Sequence, residues 1–318
     1  MRFRVYSLLL FLSGCASSPT YLLDTQELDR SRLPLPDVTV SISNLSPCND
    51  SLEEAVQIDS TSPLTILVHG CDSSAGHFRS LAQLYAFHGQ QAICYSYDDR
   101  ASLVDSAEKL SIAISELSDV TNNQNITIIG HSMGGLIARK TLENDYKESN
   151  ILNGKNLELI TVSAPFAGIE AASHCGIESL HWLSAGIVPG ICWSITGNNW
   201  YEITSSSNFI RNPEPLLPSV NRYLKVVTNE EGTCRRAEVD GSCIEDDYVF
   251  NLSEQYHPKI DNYKNVTGVQ IDAGHVEIVG NKNIVPRKLI SILQEYGMLS
   301  YTPTDRREDF ERLLANLY

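Results

Sequence analysis

The sequence predicts an α/β fold in which a mostly parallel central sheet is flanked by helices. Three observations predict it: short continuous apolar runs, helical segments between those runs, and a glycine-rich junction where one run passes into a helix. The runs lie at residues 64–68, 92–95, 126–129 and 157–162. Buried parallel strands have this appearance because helices cover both faces of their sheet. Strands that alternate with helices indicate βαβ units.

The other elements continue the same alternation along the chain. Residues 37–43 alternate apolar and polar side chains, which predicts a half-buried strand. A helix is predicted at 75–88, because Gly89 directly after it is a typical C-cap residue. Further helices are predicted at 102–117, after Ser132, at 285–296 and at 304–317, and further strands at 223–228 and 266–271.

About sixty residues between the strands that end near Ser163 and begin near Tyr223 interrupt this alternation. So long a segment in a compact domain is usually functional, and we predict a cap or lid insertion at about residues 169–222. All three tryptophans fall within it and are predicted to form a substrate cap: Trp182, Trp193 and Trp200. The alternative is a set of ordinary core helices, since buried aromatic residues occur in any core.

The N-terminus has the features of an export signal. Arg2 and Arg4 precede a short apolar segment, and Leu-Ser-Gly-Cys at residues 12–15 then resembles a bacterial lipobox. The resemblance implies that residues 1–14 are a lipoprotein signal peptide and that Cys15 carries acyl chains such as palmitate. Residues 15–36 then form a tether to a folded domain that spans residues 37–318.

A lipid on Cys15 implies a location in the bacterial cell envelope. The residue after it, Ala16, is not acidic, which in such lipoproteins implies the outer membrane, facing the periplasm or the surface. The alternatives are an ordinary signal peptide cut after Ala16, or a eukaryotic secreted protein with N-x-S/T glycosylation triplets. Those triplets begin at Asn44, Asn49, Asn125, Asn251 and Asn265.

Composition excludes some partners. The net charge is −15 and the isoelectric point is about 4.9, so the phosphates of nucleic acids would be repelled. No stretch reaches the roughly 18 uninterrupted apolar residues of a membrane-spanning helix. The predicted contact with a membrane is therefore the lipid on Cys15.

The chain has eight cysteines, and seven remain when Cys15 is set aside. Export places them in an oxidising compartment, where disulfides form. Cys234 and Cys243 flank a short polar loop and are the simplest pair to predict. Other pairs, such as Cys71–Cys94 and Cys175–Cys192, stay open, and an odd count leaves at least one cysteine free or paired between chains.

The most specific motif is the segment Ile-Ile-Gly-His-Ser-Met-Gly-Gly at residues 128–135. It contains G-x-S-x-G with Ser132 at the centre, an apolar strand before it and an amphipathic helix after it. This strand–turn–helix setting is that of a nucleophile elbow. Gly130 and Gly134 allow the close approach of strand and helix, and the helix N-terminus favours negative charge beside the serine. The alternative is a glycine-rich turn that contains a serine by chance.

A second motif, Val-His-Gly-Cys at residues 68–71, follows an earlier apolar strand. A tetrahedral intermediate needs two preorganised N–H donors for its oxyanion. We predict that the backbone N–H groups of Met133 and Cys71 form this oxyanion hole. His69 is expected to shape the loop.

Through these two motifs, residues 64–137 resemble the lipase/esterase branch of the α/β-hydrolase superfamily. The resemblance implies the chain order serine, acid, histidine. His275 follows the last predicted strand and is the candidate general base, whereas His257 precedes that strand. The acid is expected after the strand at 223–228, and Asp247 is the best match. Because an insertion intervenes, Asp246, Asp240 and Glu230 also stay open as the acid.

These residues predict a serine hydrolase that cleaves carboxylic esters of small molecules or lipids through an acyl-enzyme. No metal ligands or cofactor motif are expected, and none is needed for this chemistry. An acyltransferase or a thioesterase would use the same triad, so both stay open. A non-catalytic envelope protein on a hydrolase scaffold is a further possibility, and a missing triad member would be its sign.

Overall fold

The computed structural model describes residues 24–52, 55–122, 125–144, 152, 155–170, 172, 201–238 and 240–318. Several predictions lie outside these residues: the signal peptide, the lipid on Cys15, the three tryptophans of the cap, and the pairing of Cys175 and Cys192. Of the predicted cap, residues 169–170, 172 and 201–222 are described, and Ile203 and Ile210 from this part are buried in the core.

The central sheet has the predicted α/β architecture. In the described part of the chain it has seven strands in the order β11-β8-β7-β6-β4-β5-β2, all parallel except β2, which runs antiparallel to β5. Two further pairs, β1–β3 and β9–β10, are antiparallel. The strands are β1 Val38–Val40, β2 Leu45–Ser46, β3 Val56–Ile58, β4 Leu64–Val68, β5 Gln91–Tyr95, β6 Asn125–His131, β7 Asn156–Val162, β8 Val220–Asn229, β9 Cys234–Ala237, β10 Cys243–Asp246 and β11 Val266–Asp272.

The five predicted helices are present to within a few residues, and two four-residue helices, at 208–211 and 258–261, were not predicted. The described helices are α1 Arg79–Phe87, α2 Leu103–Val120, α3 Met133–Thr141, α4 Asn208–Arg211, α5 Pro258–Asp261, α6 Arg287–Glu295 and α7 Arg307–Leu317. Short 3-10 turns occupy Ala75–Phe78, Leu252–Gln255 and Thr304–Arg306. Gly89 has φ +74°, a left-handed conformation, one residue beyond the C-cap of α1. None of the described helices is long and apolar enough to cross a bilayer.

Consecutive side chains of the central strands enter two different cores. Ile66, Ile128 and Leu159 belong to the cluster that packs against α2 and α3. Their neighbours Leu67, Ile129 and Ile160 belong to the cluster that packs against α1, α6 and α7. Side chains of a strand alternate between faces, so a continuous apolar run supplies both cores. This explains why continuous apolar runs in the sequence predicted the central strands.

Two disulfides have both of their cysteines in the described part of the chain. Cys234–Cys243 joins β9 to β10, which confirms the predicted pair. Cys48 bonds to Cys94, so the possible pairing of Cys71 with Cys94 was wrong. Cys71 is also disulfide-bonded, and no cysteine among the described residues is free.

The end of the segment predicted as a tether packs against the domain. The carboxylate of Asp24 accepts a hydrogen bond from Nε of Arg79 at 2.9 Å. The backbone of Asp29 exchanges hydrogen bonds with the side-chain amide of Gln83 at 2.8 and 3.1 Å. Residues 24–29 are therefore attached to α1, so this end of the segment predicted as a tether lies against the folded domain.

Candidate active site

Ser132 lies at the tip of a sharp turn between β6 and α3. Its backbone has φ 54° and ψ −125°, a strained conformation for a residue with a side chain. The N–H of Ser132 donates to the carbonyl of Val162 at 2.9 Å, which ties the turn to β7. The residue is 8% exposed. This geometry is that of a nucleophile elbow, as the motif indicates.

The glycines of the motif are required by close backbone contacts. A Cβ on Gly130 would lie 2.3 Å from the carbonyl oxygen of Gly134. A Cβ on Gly134 would lie 2.2 Å from the carbonyl oxygen of His69. Both distances are far shorter than a van der Waals contact, so any larger residue would force strand and helix apart.

The loop after β4 lies beside the nucleophile. A Cβ on Gly70 would lie 3.1 Å from Cβ of Ser132, and Cys71 follows directly. Met133 is the first residue of α3, where backbone N–H groups point out of the helix N-terminus. The two predicted oxyanion donors thus come from segments that flank Ser132.

His69 shapes this loop. Its ring stacks on Tyr97 with the centroids 4.3 Å apart, and the Tyr97 hydroxyl donates to the His69 carbonyl at 2.7 Å. Burial lowers the pKa of His69 to about 4, so the imidazole is neutral at neutral pH. These contacts match the expected structural role of His69.

The carboxylate that contacts His275 belongs to Glu230. Glu230 Oε1 lies 2.8 Å from Nδ1 of His275, and both side chains are buried. The prediction that Asp247 orients His275 was therefore wrong, and Glu230, a lower-ranked candidate, occupies that position. Glu230 directly follows Asn229 at the end of β8, whereas Asp247 comes after the β9–β10 hairpin.

The surroundings of Glu230 stabilise its ionised form. Burial alone would raise the pKa of this carboxyl, but hydrogen bonds outweigh that effect, first the one from His275, and hold the pKa below its ordinary value. The hydroxyls of Ser163 and Thr228 also lie within hydrogen-bond distance of this carboxylate, at 2.9 and 3.1 Å. The backbone N–H groups of Val249 and Phe250 donate to it at 2.7 and 3.3 Å.

Asp247 instead holds the turn that carries His275. Its fully buried carboxylate accepts hydrogen bonds from the backbone N–H groups of Val276 and Glu277 at 2.8–3.1 Å. Arg235, on β9, donates to the same carboxylate at 3.1 and 3.2 Å. A buried carboxylate needs charge-assisted hydrogen bonds, and two of the donors here, the N–H groups of Val276 and Glu277, directly follow His275 in the sequence. Asp240 and Asp246, which the sequence also left open as the acid, lie on the exposed hairpin.

His131 connects the nucleophile turn to the histidine turn. Its Nε2 donates to the backbone carbonyl of His275 at 2.9 Å, and the two rings lie 4.7 Å apart. Among the described residues, no hydrogen bond joins the Ser132 hydroxyl to the imidazole of His275. Such bonds are often long before substrate binds and shorten in the reacting complex.

Among the described residues, one group of metal-ligand type lies near the site. Ligand atoms of Cys71, Asp72 and Asp99 lie within 4.8 Å of one another. Cys71 is disulfide-bonded and so offers no thiolate, and a carboxylate oxygen of Asp99 accepts the N–H of Asp72 at 2.6 Å. This group therefore gives no basis for a metal site.

Sequence patterns missed Ser163 and Thr228 and ranked Glu230 too low. The position of Glu230 immediately after the strand was a usable signal, since the resemblance places the acid there. Ser163 and Thr228 carry no motif. Ser163 meets Glu230 only because β7 and β8 are adjacent in the sheet, whereas Thr228 lies two residues before Glu230 on β8 itself.

Comparisons with known proteins agree on this fold. A family model described as palmitoyl protein thioesterase matches residues 64–265. The structure is similar to that of the mature lipase BlEst2 of Bacillus licheniformis, with 15% identity over 83% of this chain and 99% of that chain and a TM-score of 0.52. It is also similar to the esterase Pf2001 of Pyrococcus furiosus, with 16% identity over 88% of this chain and 98% of that chain and a TM-score of 0.50. No curated protein sequence matches.

Proposed function

Since the chain belongs to the palmitoyl protein thioesterase family, we propose that it is a serine hydrolase that cleaves acyl thioesters and esters. The triad of the proposal is Ser132, His275 and Glu230. The observation that carries it is the 2.8 Å contact between Glu230 and Nδ1 of His275, on a turn bonded to the nucleophile elbow. Because every triad role has a residue, a non-catalytic scaffold is disfavoured.

The proposed reaction begins with proton transfer from the Ser132 hydroxyl to Nε2 of His275. The serine oxygen attacks the acyl carbonyl carbon, and the backbone N–H groups of Met133 and Cys71 stabilise the oxyanion. When the intermediate collapses, the imidazolium protonates the departing thiolate or alkoxide. A water molecule then attacks the acyl-serine by the same route, which releases the carboxylic acid and restores Ser132. Glu230 orients the imidazole and stabilises its charged form.

The family extends the proposal from esters to thioesters. A thiolate is a better leaving group than an alkoxide, so the acylation step needs less help from His275 acting as an acid. We therefore expect Ser132 to acylate faster from a thioester than from the ester with the same acyl chain. Deacylation is common to both substrates, because it proceeds from one acyl-enzyme.

The test is hydrolysis of acyl thioesters and of the alkyl esters of the same acids, from acetyl to palmitoyl, by wild type and Ser132→Ala. Activity that disappears in Ser132→Ala, together with fluorophosphonate labelling of wild type alone, would support the proposal. The preferred chain length and the thioester-to-ester ratio would identify the substrate class. Hydrolysis by Ser132→Ala at the wild-type rate would overturn it.

We also propose that Cys15 is lipidated and attaches the enzyme to the bacterial outer membrane. The support is the lipobox at residues 12–15 and the non-acidic Ala16. Expression with labelled palmitate in a Gram-negative host, beside Cys15→Ser, tests this proposal. Label and membrane association that survive in Cys15→Ser would contradict it.

A further inference from the structure

Ser163 places a buried hydroxyl inside the Glu230–His275 pair, where the proposed reaction assigns it no role. Its Oγ lies 2.9 Å from Glu230 Oε1, 3.0 Å from His275 Nδ1 and 2.7 Å from the hydroxyl of Thr228. The residue is fully buried. If the Ser163 hydroxyl served only to satisfy its own hydrogen-bonding capacity, Thr228 and one further partner would be enough. The Ser163 hydroxyl instead contacts both the acid and the imidazole of the proposed triad.

The backbone directs Ser163 toward this pair. Ser163 has φ 49°, so the chain enters the left-handed region directly after β7, as it does at Ser132 directly after β6. The N–H of Ser163 donates to the carbonyl of Val226 at 2.9 Å, and that of Ser132 donates to Val162 at the same distance. Strained residues of this kind persist where surrounding structure holds them, often at functional sites. Ser163 is thus the counterpart of the nucleophile on the neighbouring strand.

The numbers of donors and acceptors on Glu230, His275 and Ser163 determine which atoms carry the protons of this network. An ionised Glu230 only accepts, so Nδ1 of His275 must carry the proton that points at Oε1. Ser163 has one proton and two lone pairs. When it donates to Oε1, its lone pairs face the Thr228 hydroxyl and the N–H of His275. Nε2 is then the unprotonated nitrogen, as a general base requires.

We propose that Ser163 is a positioning residue that holds Glu230 Oε1 against Nδ1 of His275 and so selects the tautomer competent to deprotonate Ser132. This inference rests on the proposed function. Ser163 acts through the acid–histidine pair and does not touch the substrate. Its removal should therefore lower kcat and leave KM nearly unchanged.

The test compares Ser163→Ala with Ser106→Ala. Ser106 is also buried and bonded, to the carbonyl of Ser102 at 2.9 Å, but it lies on α2 away from the triad. We expect Ser163→Ala to lower kcat about tenfold with KM within about twofold, and Ser106→Ala to leave both unchanged. Ser163→Cys, which keeps a weak donor, should have an intermediate kcat.

Two further readouts separate positioning from structural support. In ¹⁵N-labelled protein, the Nδ1–H resonance of His275 should shift in Ser163→Ala and stay in place in Ser106→Ala. In a Glu230→Gln background, adding Ser163→Ala should change kcat, or the fluorophosphonate labelling rate of Ser132, less than about twofold, since residues of one unit are non-additive.

Wild-type kcat in both Ser163→Ala and Ser163→Cys would overturn the inference, as would effects that multiply in the Glu230→Gln background. If Ser163→Ala does not fold, Ser163→Cys alone decides by the same criteria. These outcomes differ from failure of the proposed function, which full activity of Ser132→Ala or Glu230→Gln would reveal.

Discussion

The two halves of the candidate site are built differently. The nucleophile region, residues 64–71 and 125–141, is held by backbone atoms in van der Waals contact, with Gly134 against the carbonyl of His69. The acid–histidine region, residues 228–277, is held by side-chain hydrogen bonds to two buried carboxylates, Glu230 and Asp247. The stability of the nucleophile region therefore depends on steric fit, and that of the acid–histidine region depends on electrostatic pairing. Substitutions in the two regions should therefore fail in different ways.

The comparison also shows why Asp247 and Glu230 are hard to tell apart in the sequence as the partner of His275. Both carboxylates of the acid–histidine region are fully or almost fully buried and both contact the His275 turn. Glu230 contacts the imidazole, and Asp247 contacts the backbone of the next two residues. The β9–β10 hairpin separates them by seventeen positions of sequence but brings them to the same turn.

The largest expected effect separates these two carboxylates. Glu230→Gln and Asp247→Asn each replace one oxygen by an amide nitrogen, so they are matched in shape. Glu230→Gln should lower kcat/KM by about 10³–10⁴, as loss of the orienting charge does in serine hydrolases, and should also lower the melting temperature, because the buried carboxylate of Glu230 accepts several hydrogen bonds. Asp247→Asn should lower the free energy of unfolding by about 1–3 kcal/mol, because Arg235 and the turn lose an acceptor, with a smaller loss of kcat/KM. A larger activity loss in Asp247→Asn would restore Asp247 as the triad acid.

The steric character of the nucleophile region predicts a large loss of stability for Gly134→Ala. The added methyl would lie 2.2 Å from one carbonyl oxygen and 2.4 Å from another, so α3 must move away from β4. We expect the free energy of unfolding to fall by about 3 kcal/mol or more, measured by urea denaturation. Gly268→Ala in β11 is the matched control, because a Cβ there meets nothing within 4 Å. Equal stability of the two variants would contradict the steric account.

The two regions should also lose stability in different pH windows. The pKa of His69 is lowered by burial from 6.5 to about 4 in the folded protein. The unfolded chain therefore binds this proton first, and the free energy of unfolding falls as the pH drops from 6.5 toward 4, by roughly 3 kcal/mol for this residue. The buried His131, whose pKa is also lowered, adds a change of the same sign. Above pH 6.5 both contributions are fully present.

Glu230 affects the free energy of unfolding at lower pH than the two histidines. Its pKa lies below the ordinary value of 4.5, so its contribution is present above that value and is lost as the pH falls through the lowered pKa. Urea denaturation at a series of pH values should show a weaker slope between pH 6.5 and 4.5 for His69→Gln than for wild type. The same slope in both proteins would show that His69 is not the titrating group.

We expect the smallest effect on activity from reduction of the two disulfides whose cysteines are both described. Cys234–Cys243 lies on the exposed β9–β10 hairpin, whereas both cysteines of Cys48–Cys94 are fully buried. A mild reductant without denaturant should open Cys234–Cys243 first, since exchange needs access of the attacking thiolate. Alkylation and mass spectrometry would follow this, with hydrolysis assayed in parallel. We expect a less than tenfold loss of activity, because the carboxylates of Glu230 and Asp247 keep their other partners. Prior opening of Cys48–Cys94 would contradict the prediction.

By itself, the sequence determined the features that depend on neighbouring residues. Apolar runs of four to six residues identified the central strands, because strands covered on both faces have no polar side. The glycines around Ser132 identified the elbow, because the close contact between Gly130 and Gly134 lies within five consecutive residues. His275 could be identified as the candidate general base because it follows the last predicted strand, and the order of elements along the chain can be read from the sequence.

Only the tertiary structure decided how the acid–histidine region is assembled. Glu230, Ser163 and Thr228 meet because β7 and β8 are neighbours in the sheet, and Asp247 reaches the His275 turn because the β9–β10 hairpin folds back. Hydrogen bonds of this kind join residues up to 112 positions apart, as between Ser163 and His275. They depend on distances of about 3 Å between side chains, and no local pattern in the sequence records such a distance.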